Sequence, residues 1–379
     1  MNIVVAIDSF KGSLSSLEAG MAIKEGILNA QPDTRIIVKP LADGGEGTTD
    51  ALLFGMGGRE RSIEVTGPLG YKITSSYGIL EDGKTAILEI AGAAGIKLIP
   101  SHKLNPLYTT TYGVGEIIKD ALEQGCRNFI IGIGGSATND GGIGMLTALG
   151  YEFFDDEEKL SLPKGEDLSR ITKLNMNNCL KELSECSFRI ACDVNNPLYG
   201  LNGAAHIFGP QKGATPEIIE ILDGGLRNYS ELVKKTTGKE TSSVPGTGAA
   251  GGLGYAFLTF LNGNLESGID IILDEIKLEE DIKDCDLVIT GEGKLDYQTT
   301  MGKAPIGVAK LAKKYNKKVI AFAGGVTDDA VKCNEEGIDA FFSILRLPMT
   351  VENAMECQVS KNNMISTAEQ VFRLISLYN

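Results

Sequence analysis

Residues Ile3 to Ile7 form a short unbroken apolar run, the pattern of a strand buried on both faces. The spacing then changes. Leu17, Met21, Ala22, Ile23, Ile27 and Leu28 recur at roughly helical intervals, and Ser15-Ser16-Leu17-Glu18 fits a capping box that opens the helix. Arg35 to Pro40 reads as a second strand. Strand, helix and strand in this order predict a parallel pair joined by a crossover.

Near residue 60 the texture becomes alternating. Segments 61–66, 71–79 and 84–91 switch between apolar and polar, with turn residues at Gly67-Pro68 and Asp82-Gly83, so antiparallel hairpins are predicted. A helix is expected from Gly113 to Gln124, ending at Gly125, and a strand from Phe129 to Ile133. Ile143 to Leu149 continues as helix, residues 155–185 read as irregular charged surface, and Phe188 to Val194 as a buried strand. Thr215-Pro216-Glu217 starts a helix that runs to about Lys235, with proline at its first position. After Asp284 the β-α-β rhythm returns. Strands are expected at 286–290, 318–323 and 338–345, and helices at 303–315, 327–336 and 361–378.

The two ends therefore share one texture and the middle has another. The expectation is an α/β protein of two domains. A doubly wound, Rossmann-like parallel-sheet domain is built from residues 1–60 plus 286–379, and a second α/β domain with a mixed sheet, residues 61–285, is inserted between them. A chain of 379 residues agrees with two domains rather than one.

Apolar residues at 42% and charged residues at 23% are ordinary for a globular protein. The net charge of −14, with no basic stripe, argues against nucleic acid as a partner. It does not exclude a phosphorylated small ligand, which backbone amides and one or two lysines can hold. Seven scattered cysteines without a CxxC pair predict reduced thiols. No apolar run reaches membrane-span length and no signal peptide opens the chain, so a cytoplasmic location is expected. His102 and His206 lie in no metal-ligand spacing.

The 47 glycines change the picture, because they cluster where strands end or helices begin. The clusters are Asp8–Ser13, Ala42–Thr48, Gly132–Gly142, Cys192–Pro197, Pro245–Gly254 and Gly291–Asp296. Glycines in such loops let backbone N–H groups approach an anion closely, and the competing reading is tight packing. Gly132 to Ala137 matches GxGxxA, with Asp155 beyond it, and Gly246 to Gly251 matches GxGxxG. Either could mark a dinucleotide. No GxxxxGK[ST] occurs, since Gly302-Lys303-Ala304 lacks the hydroxyl and the upstream glycine; the protein-kinase set and a GxSxG elbow are also missing.

Lys11 and Lys294 stand in glycine-containing loops after strands and can neutralise phosphate charge; alone, either is also an ordinary surface lysine. Asp8, Asp43, Asp193 and Asp296 occupy similar loops, where a carboxylate can hold Mg²⁺ or accept a hydroxyl proton, or simply cap a helix. Lysines, hydroxyls, carboxylates and anion-cradling glycines, without a nucleophile–histidine pair, suit phosphoryl transfer.

Longer blocks are more specific. Asp-Ser-Phe-Lys-Gly-Ser-Leu-Ser at 8–15, Ala-Asp-Gly-Gly-Glu-Gly-Thr at 42–48 and Gly-Ile-Gly-Gly-Ser-Ala-Thr-Asn-Asp-Gly-Gly at 132–142 resemble the bacterial glycerate kinase family. So do Asp-Val-Asn-Asn-Pro-Leu-Tyr-Gly at 193–200, Phe-Gly-Pro-Gln-Lys-Gly-Ala at 208–214, Pro-Gly-Thr-Gly-Ala-Ala-Gly-Gly-Leu-Gly at 245–254 and Thr-Gly-Glu-Gly-Lys-Leu-Asp at 290–296. The resemblance covers nearly the whole chain in order. It implies ATP-dependent phosphorylation of D-glycerate, with 2-phosphoglycerate the usual product of this type, in a cleft between two α/β domains.

On that basis ATP phosphates are expected on the loops holding Gly134, Gly135 and Ser136 and holding Gly246, Gly248, Gly251 and Gly252. Mg²⁺ is expected on Asp193, with Asp296 or Asp43 orienting the attacking hydroxyl. Lys11 and Lys294 would offset charge on the moving phosphoryl group, and Asp8, Ser9 and Ser13 would line the substrate or phosphate site. Two rivals stand beside this reading. One is a nicotinamide-dependent oxidoreductase of a small hydroxy acid, built on Gly132 to Ala137. The other is a non-catalytic protein that closes on a small acid.

Overall fold

The computed structural model describes residues 1–42, 44–45 and 47–377, and within these the chain divides into two compact units. The first comprises Met1–Asp43, Asp50–Met56 and Ile269–Asn379; the second comprises Gly44–Thr49 and Gly57–Gly268. The sequence reading put the return to the first domain at residue 286, whereas the first unit resumes at Ile269. The helices Gly268–Glu275 and Leu278–Lys283 account for the difference. Ile272 and Ile276 are buried, and Lys39 on a strand of the first unit donates to the Ile276 carbonyl at 3.2 Å. A helix pair carries no β-α-β signature, so the texture of the sequence did not assign it.

The first unit is one all-parallel sheet of five strands, in the order Ala340–Ser343, Lys318–Val326, Leu287–Leu295, Asn2–Ile7 and Arg35–Pro40. Ile3, Val5 and Ile7 are fully buried beside Ile289, Phe322, Met364 and Phe372, as a two-faced apolar strand requires. The capping box forms: the Glu18 N–H donates to Ser15 Oγ, and the Glu18 carboxylate accepts from the Ser15 N–H. From Asn2–Ile7 the chain first moves to one side, to Arg35–Pro40, and later returns on the other side through Leu287–Leu295. The order reverses between these two central strands, and an open parallel sheet forms its ligand crevice at the carboxyl ends of such a pair.

The second unit holds a six-stranded mixed sheet, in the order Asn264–Glu266, Ser187–Ala191, Asn128–Gly132, Thr85–Glu89, Lys72–Leu80 and Gly58–Thr66. The hairpin predicted from 61–66 and 71–79 is present, with Gly58–Thr66 antiparallel to Lys72–Leu80. Thr85–Glu89 pairs antiparallel with that hairpin and parallel with Asn128–Gly132, so it is where the sheet changes character. The four strands from Thr85–Glu89 to Asn264–Glu266 are parallel and bring their carboxyl ends to one edge. The architecture is thus α/β, with one parallel sheet and one mixed sheet, as expected.

Residues 155–185 depart from expectation. Glu158–Lys159, Glu152–Asp155 and Lys173–Asn175 form a small antiparallel sheet, and Leu160, Leu168, Ile171 and Leu174 are buried. Strands of two to four residues are too short for alternation to register against the charges around them. Among the described residues no helix is long and apolar enough to cross a membrane.

Candidate active site

In the second unit, Asn128–Gly132 runs into an irregular loop, and the next helix, Ile143–Ala148, opens only after Gly142. The dinucleotide fingerprint needs its glycines to lead directly into a helix, so this GxGxxA lacks the required geometry. Gly134 and Gly135 are exposed, whereas Ser136 is 8% exposed. The loop is pinned from one side. The Ile96 N–H donates to the Gly135 carbonyl at 2.9 Å, and the Ala137 N–H donates to the Ala94 carbonyl at 2.8 Å.

Behind this loop lies Lys212, only 2% exposed. Its Nζ donates to Ser136 Oγ at 2.8 Å and to the Thr138 carbonyl at 2.6 Å. Burial pushes the ammonium down to about 7, and the field of Asp140 opposes the shift. Asp140 is itself fully buried. It accepts from the N–H and hydroxyl of Thr111, both at 2.8 Å, and from the N–H groups of Gly142 at 3.1 Å and Gly144 at 3.2 Å. Burial raises its pKa against these bonds. The Thr138 hydroxyl and both amide atoms of Asn139 are buried with no hydrogen-bond partner.

The second glycine cluster packs against the first. Gly246, Gly248, Gly251 and Gly252 are all buried. The Gly141 N–H donates to the Gly251 carbonyl at 2.9 Å, and the Gly248 N–H donates to the Asn196 carbonyl, also at 2.9 Å. Ala250, Gly251 and Gly252 turn left-handed in succession, with φ of 52°, 69° and 92°, so here too GxGxxG does not open a regular helix.

Asp193 follows the strand Ser187–Ala191 at the same edge. It is exposed, and its Oδ1 accepts from the Gly268 N–H at 3.0 Å, which links the ends of two neighbouring parallel strands. A carboxylate anchored on a backbone amide has the hard oxygen chemistry that Mg²⁺ takes. Among the described residues no group of three His, Cys, Asp or Glu could hold a metal ion. A kinase magnesium needs fewer protein ligands than that, because phosphates and water complete its shell.

In the first unit the carboxyl ends of the two central strands carry the other predicted residues. Asp8 is buried, and its Oδ1 accepts from the Ser9 N–H at 2.6 Å. The Asp8 N–H donates to the Gly291 carbonyl at 3.0 Å, joining the two strands across the reversal point. Lys11 is exposed on the turn that follows. Ser13 is committed elsewhere: its hydroxyl donates to Ser360 Oγ at 2.6 Å, and Ser360 donates to the Ala354 carbonyl at 2.7 Å. This ties the turn to the helix Cys357–Ile375.

Lys294 and Asp296 form an ion pair at 3.0 Å. Asp296 also caps a short turn, accepting from the Gln298 N–H at 2.9 Å. Burial works against its ionisation, but Lys294 and the Gln298 N–H outweigh it and hold the carboxyl below the usual range. Asp43 lies outside the described residues.

Sequence reasoning named Gly134, Gly135, Ser136, Gly246, Gly248, Gly251, Gly252 and Asp193, and the structure gathers these in the second unit. Asp8, Ser9, Lys11, Ser13, Lys294 and Asp296 belong to the first. It passed over Lys212, Asp140 and Glu292. Glu292 is buried in the first unit, accepts from the Thr299 hydroxyl at 2.6 Å and faces Lys303 at 3.6 Å; burial raises its pKa. All three lie in blocks quoted for their resemblance. Their chemistry comes from burial, which no local pattern discloses.

A model of the glycerate kinase family matches residues 3–376. The Escherichia coli K12 protein named glycerate 2-kinase is 48% identical over 96% of this chain and 97% of its own length. A Bacillus subtilis 168 glycerate kinase is 45% identical over 94% and 93%. The crystal structure of a provisionally named glycerate kinase 2 from Salmonella typhimurium LT2 superposes with a TM-score of 0.91 at 44% identity, covering 100% of this chain and 98% of that one. With the family model matched over residues 3–376 and the fold shared over the whole length of the chain, this chain belongs to the glycerate kinase family and is an enzyme of that kind.

Proposed function

We propose that the enzyme transfers the γ-phosphoryl group of ATP to D-glycerate in the presence of Mg²⁺, giving 2-phospho-D-glycerate. The observation that carries the reading is the exposed Gly134-Gly135 step with the Ser136 hydroxyl behind it, bound to a buried lysine. Such a step exposes backbone to an anion and backs it with a positive charge. The product's regiochemistry is supported by the name of the Escherichia coli relative alone.

In this reading the 134–136 loop receives phosphate oxygens. Asp193 would supply a carboxylate oxygen to Mg²⁺, whose charge would offset that of the phosphates. Lys11 and Lys294 offset charge on the transferring group. Asp296, held ionised by Lys294, orients the attacking hydroxyl, and in a loose phosphoryl-transfer transition state orientation matters more than base strength. Asp8 and Ser9 line the crevice beside them, and Ser13 holds the turn to its neighbouring helix. The buried loop at 246–252 supports the phosphate loop from behind. A cytoplasmic setting suits seven cysteines that are all free thiols.

The test is a coupled ADP-release assay with D-glycerate, ATP and Mg²⁺, followed by ³¹P NMR of the product. The expected result is stoichiometric ADP and the resonance of 2-phosphoglycerate. A 3-phosphoglycerate resonance would keep the kinase and correct the hydroxyl. NAD(P)H-dependent turnover without ATP would favour the oxidoreductase.

A further inference from the structure

We propose that Lys212 is a positioning residue for the phosphate loop: it fixes the Ser136 hydroxyl as a donor towards bound ATP. This rests on the kinase reading above and deepens it, giving the buried lysine behind the loop a defined role.

A buried ammonium is costly unless its hydrogens are used. Lys212 sits on the turn Pro210–Lys212, about seventy residues along the chain from the loop it serves. Among the described residues it makes no ion pair, and its hydrogen bonds go to the Ser136 hydroxyl and the Thr138 carbonyl. Both belong to one loop, so the lysine spans Ser136 to Thr138 from the inside.

The direction of the first bond matters. While Lys212 holds its proton the ammonium has only donors, so Ser136 Oγ accepts from it. The serine's own O–H is then directed away from the lysine and remains available to a second acceptor. A phosphate oxygen approaching the exposed Gly134-Gly135 step is such an acceptor. The same loop keeps the Thr138 hydroxyl and the Asn139 amide buried without partners, which marks it as a polar region with hydrogen-bonding capacity in reserve.

The experiment is a cycle of wild type, Ser136→Ala, Lys212→Met and the double variant, with KM for ATP, KM for D-glycerate and kcat measured for each. Ser136→Ala removes one hydrogen bond to a charged group and should raise KM for ATP about tenfold while leaving KM for D-glycerate in place; it also lowers the thermal midpoint, because the buried Lys212 loses one of its two partners. Lys212→Met should raise KM for ATP at least as much, and the double variant should be no worse than Lys212→Met alone, because the lysine acts through the hydroxyl. Multiplicative effects, or an unchanged KM for ATP in Ser136→Ala, would overturn the proposal. If Lys212→Met does not fold, Ser136→Ala still decides. A wild type that turns over D-glycerate beside an unaffected Ser136→Ala sinks this inference and spares the kinase. A wild type without ATP-dependent turnover sinks the kinase reading, and titration of Mg·ATP into wild type and Ser136→Ala then tests the loop by itself.

Discussion

Among the described residues, a β-carbon at Gly134 would meet only the Gly45 Cα, 3.7 Å away, whereas one at Gly251 would stand 2.1 Å from the Thr138 carbonyl oxygen and 2.6 Å from the Asn139 Cα. Both glycines come from matches to the same short pattern. One would accept a methyl in ordinary contact and the other is wedged against backbone from a distant part of the chain. The difference teaches that a glycine-rich motif is two signals in one: some glycines leave room for a ligand, others leave room for the protein. In this enzyme the two kinds are stacked. The buried loop packs on the residues that follow Ser136, and so braces the exposed one.

Three substitutions and one titration would break or sharpen that contrast. The largest effect belongs to Gly251→Ala. It adds left-handed strain at φ +69° to a backbone collision, and should cost more than about 3 kcal/mol of stability, read from the denaturant midpoint. A variant of near-normal midpoint would remove the packing role from this loop. Lys11→Ala should lower kcat by about a hundredfold or more with the midpoint unchanged, since an exposed lysine contributes little to the fold.

The Lys212 ammonium, pushed down to about 7 from 10.5, yields a titration. Between these values the folded protein has released a proton that the unfolded chain still holds. Stability relative to Lys212→Met should therefore rise as pH climbs from 7 towards 10. Over the same range the wild type loses the charge that backs the loop, so its ATP affinity should fall relative to Lys212→Met. Parallel profiles in the two proteins would contradict both trends. The smallest effect is that of Gly135→Ala, where φ is +69° but the nearest atom, Ala91 Cβ, is 3.5 Å away. Strain without collision should cost about 1–2 kcal/mol, again from the denaturant midpoint.

Much of the fold was legible because its elements are periodic. The unbroken run Ile3–Ile7, the Ser15–Glu18 capping box and the 61–79 hairpin each state their structure within a few residues. The small sheet around Glu152–Asp155 does not, because its strands are shorter than the window in which alternation can be read. The site divides in the same way. Asp193 and Asp296 stand just past strand ends, whereas Lys294, expected in a loop after a strand ending at residue 290, lies inside the longer strand Leu287–Leu295 and pairs with Gly325. Ser13 was visible in the sequence, but its hydroxyl is engaged by Ser360, 347 residues away. Lys212 and Glu292 acquire their chemistry by being buried, and Gly134 differs from Gly251 only in what the fold brings against each.

The most direct test of the two-loop account measures KM for ATP and the thermal midpoint side by side in Gly134→Ala and Gly251→Ala. The account predicts opposite signatures. Gly134→Ala should keep its midpoint and raise KM for ATP about tenfold, because the new methyl stands where phosphate approaches. Gly251→Ala should lose its midpoint first. A Gly134→Ala enzyme with unchanged KM for ATP would contradict the assignment of the exposed loop to the nucleotide.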